Sequence, residues 1–315
     1  MWLFFASLTA FFEACKDATG KQSLKVLDEY SVLFSFMAVG VVVLLPLLLI
    51  QGVPTVQAGF WLALAIGGSL NILAFTLYVR ALKLADLSLT VPLVTLTPLF
   101  LLVTSPLILQ EWPTWADAVG VVLLVVGSYV LNLNFLNLNV LNRRLGKPGR
   151  RSMLAFLAPL TRMMRNPGSR LMLCVAFIWS ITSNFDKIGV MNSSPLFWAI
   201  ALFAVIAVGM VPFVFLANGS TSQRESRGRG GLSTLRPMLR QWRLLGITGG
   251  FNAIGIVFQM LALTMAPVAQ VIAVKRMSAL LSVLFGHFLF NETGLRERLL
   301  GATIMVSGVV VMSLK

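Results

Sequence analysis

Ten runs of about twenty apolar residues, set apart by short polar, Pro or Gly clusters, divide the chain. They lie near 2–22, 30–50, 58–80, 88–109, 114–134, 171–191, 196–217, 244–265, 268–290 and 296–314. A run of that length is what an α-helix needs to cross a hydrocarbon core roughly 30 Å thick. Inside that core, only helices and closed barrels satisfy their own backbone hydrogen bonds. The expected fold is therefore all-α and integral to the membrane, with ten transmembrane helices. The charge content agrees. Only 11% of residues are charged, against roughly 25% in soluble domains.

The net charge of +14 has a local origin. Most Arg and Lys residues fall in two stretches between apolar runs, 135–170 and 218–243. Such loops read as cytoplasmic anchors, not as a nucleic-acid footprint. Cys15 and Cys174 lie in apolar runs and read as buried thiols outside any disulfide framework. A single His and no metal-ligand spacing give no reason to expect a metal or cofactor. No glycine-rich phosphate cradle for ATP is present either.

The chain repeats itself. At an offset of 169, Asp17 to Gly20 falls on Asp186 to Gly189, and Ala38-Val39-Gly40 on Ala207-Val208-Gly209. At an offset of 181, Gly68, Asn71, Ala81, Glu111, Gly120 and Gly127 meet Gly249, Asn252, Ala262, Glu292, Gly301 and Gly308. Chance apolar similarity would not align Asn, Glu and spaced Gly. Two five-helix repeats are expected, 1–134 and 171–315, joined by a basic linker at 135–170. Within the linker, Ser152 to Arg165 reads as an interfacial amphipathic helix. Residues 1–12 resemble a signal-peptide core, but 2–22 aligns with the internal run 171–191 and so reads as a permanent first helix.

Five helices per repeat is an odd number, so the second copy enters the membrane from the opposite side. Inverted repeats of this kind are characteristic of secondary transporters that work by alternating access. Twenty of the 25 basic residues fall in connections on one face, and only Lys187 and Lys315 on the other. The positive-inside rule then places both termini outside and the basic loops in the cytoplasm.

Two blocks carry a family resemblance: Leu109-Gln110-Glu111 with Gly120 and Gly127, and Phe290-Asn291-Glu292 with Gly301 and Gly308. Together they resemble the doubled hallmark of EamA-type transporters of the drug/metabolite transporter superfamily. The resemblance implies a ten-helix bundle of the inner membrane with a central cavity, lined mainly by the first four helices of each half. It also implies export or exchange of small metabolites. The glycines of each block are seven apart and share a helix face, which lets helices approach closely in lipid. Glu111 and Glu292 stand at the turns before the fifth and tenth helices, where a carboxylate can take backbone N–H groups.

The sharpest polar feature is Lys275-Arg276, inside the ninth apolar run. Each ion at mid-bilayer costs roughly 2.5–3.5 kcal/mol on insertion scales. The repeat counterparts are Val94 and Thr95, so the fold does not require the pair. A cavity seen by both cations suits a phosphate or carboxylate. The pair is similar to a Lys-Arg pair in the plastid sugar-phosphate translocators, where it binds the substrate phosphate. The competing reading is that both cations neutralise buried carboxylates. Glu13 and Asp17, with Lys16 between them, and Asp186 beside Lys187 are the candidates. Asp17 and Asp186 lie near helix ends where water can reach, and could instead gate the cavity or exchange protons.

Asn71 and Asn252, paired by the repeat, suit interhelical hydrogen bonds or cavity lining. Tyr78 and Gln259 occupy equivalent positions and could line the same space. Pro92, Pro98 and Pro106 in the fourth run have Ala273, Ala279 and His287 as counterparts, so the two halves should bend differently. The expected function is secondary transport of a small, anionic metabolite. Its expected partners are that solute and the lipid bilayer, and a homodimer stays open. A lipid-headgroup flippase, a membrane enzyme and a scaffold are the alternatives. No clustered catalytic carboxylates or His-based pair speak for an enzyme.

Overall fold

Helix ends fall where the sequence supplies the missing hydrogen bonds. Asp28 accepts the Ser31 N–H at 3.0 Å and the Ser31 hydroxyl at 2.6 Å, and so starts the second helix. Gly52, at φ +86°, ends it. Thr114 and Asp117 cap the fifth-helix region reciprocally. The Asp117 carboxylate accepts the Thr114 N–H at 2.8 Å, while the Thr114 hydroxyl oxygen accepts the Asp117 N–H at 3.3 Å. Proline takes the first helical position at Pro167 and Pro195, where its missing N–H costs nothing.

The computed structural model describes residues 1–24, 26–84, 93–133, 166–222, 238–290 and 295–313. The helices are α1 (Trp2–Ser23), α2 (Glu29–Gln51), α3 (Ala58–Leu84), α4 (Thr97–Leu109), α5 (Trp115–Leu133) and α6 (Pro167–Met191). They continue as α7 (Pro195–Ser222), α8 (Trp242–Leu263), α9 (Val268–Lys275), α10 (Ser278–Phe290) and α11 (Leu295–Ser313). Among the described residues no strand occurs. Among the described residues, five helices, α2, α3, α6, α7 and α8, are long and apolar enough to cross a bilayer. Large apolar side chains such as Leu49, Ile50, Val208 and Leu216 stand exposed on them, as lipid contact allows. The ninth apolar run, expected as one helix over 268–290, is instead divided into α9 and α10. The proposed amphipathic helix at 152–165 and Glu292 lie outside the described residues.

Two compact units form, Met1–Ile72 with Thr182–Ala266 and Leu73–Ile181 with Pro267–Lys315. Each unit draws on both sequence repeats.

In the first unit, α1 runs antiparallel to α8. Gly20 sits by Thr248, and Gly255 by Phe12. Phe5 stacks on Phe258 with ring centroids 5.9 Å apart. The second helices of the two repeats, α2 and α7, also pair antiparallel. Tyr30 meets Phe213, and Gly40 lies under Phe203. The third helices then cross over. Gly68 of α3 faces Val205 of α7, and Gly249 of α8 faces Val39 of α2.

In the second unit the fifth helices of the repeats, α5 and α11, form an antiparallel seam. A Cβ added to Gly120 would lie 2.7 Å from the Gly308 carbonyl oxygen, and one added to Gly308 the same distance from that of Gly120. Gly127 stands against the Gly301 carbonyl oxygen in the same way. The four glycines therefore let two backbones touch. Leu93, Val94, Ala81, Met172 and Val175 form the apolar cluster beside α4, with Tyr78 and Trp179 packed on it.

Candidate functional site

The fourth helix of each repeat changes its hydrogen bonding at the same place. In the first repeat, the Leu96 N–H bonds the Leu93 carbonyl at 3.1 Å and the Leu99 N–H the Leu96 carbonyl at 3.0 Å. In the second, the Met277 N–H bonds the Val274 carbonyl at 2.9 Å and the Leu280 N–H the Met277 carbonyl at 3.0 Å. These are i to i+3 bonds, and each pair is related by the offset of 181. Both helices thus tighten to 3₁₀ geometry for one turn, a feature that often marks a hinge or a functional position. Ala279 stands where the first repeat has Pro98, yet the tightened turn recurs, so proline is not its cause.

Lys275 and Arg276 occupy the tightened turn of the second repeat. Lys275 closes α9, and Arg276 is the residue that follows it. Both are partly buried. The Arg276 Nη2 donates to the Thr97 hydroxyl oxygen at 3.2 Å, which joins the two turns side by side. Tyr78 packs on the cluster that holds Leu93 and Val94, its ring 5.6 Å from that of Trp179.

The start of α9 is held by carboxylates. Glu111 accepts the Val268 N–H at 3.1 Å. The helix it caps is therefore α9, reached across the unit, and not the α5 that follows it in sequence. Asp117, only 2% exposed, accepts the Gln270 side-chain amide at 2.6 Å. Neither Asp117 nor Gln270 stood out in the sequence. The signal was there in Thr114 and Asp117 at capping-box spacing. Thr97 was likewise missed, because a lone Thr in an apolar run has no distinguishing pattern.

The remaining polar residues belong to the first unit. On α1, Lys16 lies 2.6 Å from Glu13 and 3.6 Å from Asp17. Asp17 is half exposed, whereas Asp186, its repeat counterpart, is buried and accepts the Trp198 indole N–H at 3.1 Å. The expectation that water reaches both aspartates thus holds for Asp17 alone. Lys187 donates to the Ala266 carbonyl at 2.8 Å and ties α6 to the chain after α8. Asn71 spends its amide within its own helix, donating to the Gly67 carbonyl at 2.9 Å. Its counterpart Asn252 is equally buried, but its amide nitrogen meets no hydrogen-bond acceptor. Gln259 is buried one face-repeat further along α8. Cys15 is partly buried and Cys174 exposed, so the expectation of two buried thiols does not hold.

The structure thus gathers Lys275, Arg276, Tyr78 and Glu111 in one unit. Asn71, Asn252, Gln259, Glu13, Asp17, Asp186 and Lys187 fall in the other.

Comparison with known proteins follows the same outline. A search of curated proteins finds no match. A protein of known crystal structure shares the fold with a TM-score of 0.67 and 17% identity, over 99% of this chain and 95% of its own. The model of the EamA-like transporter family matches residues 1–133 and 166–314, which takes in both hallmark blocks and nearly all of both repeats. The chain is a multi-pass membrane protein and belongs to the EamA-like transporter family of the drug/metabolite transporter superfamily.

Proposed function

We propose that the chain is a secondary transporter of a small anionic metabolite, working by alternating access. It would cross the membrane ten times as two inverted repeats, 1–134 and 171–315, with the basic linker 135–170 and both termini oriented as the positive-inside rule directs. One observation carries this reading. Two symmetry-related tightened turns meet side by side, and one of them holds Lys275 and Arg276. Locally irregular helices near the middle of a span are where transporters of this architecture bind their solutes. A lysine and an arginine there suit an oxyanion, the arginine by its planar fork and the lysine as a point charge. The antiparallel α2–α7 and α5–α11 pairs support the inverted repeat, since equivalent helices of inverted copies point in opposite directions. Asn71, Asn252, Gln259 and Tyr78 would line the path. Glu13, Asp17, Asp186 and Lys187 would gate it or exchange protons.

Counterflow in proteoliposomes tests the reading. Vesicles loaded with phosphorylated or carboxylated metabolites should exchange labelled solute. Arg276→Ala and Lys275→Ala should each cut the rate about thirtyfold or more, the scale of about 2 kcal/mol for losing a buried charge-assisted hydrogen bond. Exchange of neutral solutes alone, or unchanged rates in both folded variants, would overturn it.

A further inference from the structure

The Val94 carbonyl oxygen receives the Thr97 hydroxyl, at 2.7 Å. A carbonyl only accepts, so the Thr97 hydrogen is committed to Val94. The hydroxyl then has only lone pairs to offer to anything else. It offers one to the Arg276 Nη2, which only donates. Thr97 is fully buried, with 0% exposure, so water does not compete for either bond.

We propose that Thr97, oriented by its bond to the Val94 carbonyl, is the positioning residue that sets the plane of the Arg276 guanidinium and so tunes the site to oxyanions that can accept two parallel N–H groups. The proposal rests on the anion-transport reading for its ligand, but not for its geometry. An arginine fork recognises phosphate or carboxylate through its plane. Anchoring one Nη fixes that plane, whereas an arginine on a flexible stem would have to be ordered on binding, at a cost in affinity. A threonine of one repeat and an arginine of the other thus meet directly.

Two measurements on the full-length protein in detergent separate this inference from the reading beneath it. The first needs no ligand: the rate at which phenylglyoxal modifies Arg276, followed by mass spectrometry. Thr97→Val keeps the shape and removes the acceptor, and should raise the rate about threefold to tenfold, the scale of one net hydrogen bond. Thr97→Ser should modify at the wild-type rate. Thr97→Ala, which removes the acceptor without a branched side chain, should raise the rate as well. The second is binding of labelled inorganic phosphate. Thr97→Val should weaken it by about the same factor, and Thr97→Ser should restore it. An unchanged modification rate in Thr97→Val overturns the proposal, as does a serine variant that behaves like the valine one. If Thr97→Val does not fold, Thr97→Ala decides on the same rate. If even the wild type binds no phosphate while the modification rates follow the expected order, the anion reading fails and the positioning role stands.

Discussion

The seam between α5 and α11 and the pair of turns in α4 and α9–α10 both join equivalent helices of the two repeats, yet they keep symmetry in different ways. At the seam both backbone and sequence repeat. Gly120 and Gly308 meet reciprocally, and Gly127 stands against the Gly301 carbonyl oxygen. At the turns the backbone repeats, with the same i to i+3 bonds, but the side chains do not. Val94 and Thr95 face a history that produced Lys275 and Arg276 in the other copy. Close packing in lipid tolerates only one solution, so the glycines stay paired. A tightened turn constrains the main chain and leaves the side chains free to take up a task.

The strongest challenge to this contrast is Gly127→Val. Its Cβ would lie 2.7 Å from the Gly301 carbonyl oxygen, a backbone atom that cannot swing aside. Overpacking usually costs about 1–3 kcal/mol and more where the backbone must move. The variant should lose its folded state in a detergent thermal-unfolding assay, and a melting temperature like that of the wild type would remove the seam from the argument. Next comes Glu111→Ala, which strips the cap from α9. A loss of about 1–2 kcal/mol of stability is expected, with the α5–α11 seam intact by cysteine cross-linking. Smallest is Ser278→Ala at the counterpart of Thr97. Removing one neutral hydroxyl should change stability by less than about 1 kcal/mol. An effect as large as that of Glu111→Ala would mean that the turns share more than backbone.

The glycine faces of the seam were legible in the sequence because spaced Gly stand out against apolar runs and repeat at one offset, but that the two faces meet each other was not. Most helix positions followed from hydropathy, whereas α4 begins at Thr97 and the ninth run divides into α9 and α10. The tightened turns were not legible. They come from backbone geometry shared by both copies, while the obvious candidates, Pro92, Pro98 and Pro106, occur in one copy only. Lys275 and Arg276 stood out because charge is rare in such a run. Thr97, Asp117 and Gln270 did not, since an isolated polar residue declares nothing until its partner is known. Glu111 was read as a cap, but its helix could not be named, because the contact spans 157 positions.

One consequence of the Glu111 cap reaches the other end of α9. That helix is eight residues, about 12 Å long. Its aligned peptide dipoles place roughly half a positive charge at Val268 and half a negative one beyond Lys275. Glu111 answers the first pole. Lys275, in the last turn, answers the second. The rod is thus neutralised at both tips by its own chain. On the proposed reading, an anion arriving at Lys275 and Arg276 would meet cations whose field is already drawn down by the negative pole beside them. Such a site would grip with moderated strength, and a carrier that empties its site in every cycle would need that moderation as much as the grip.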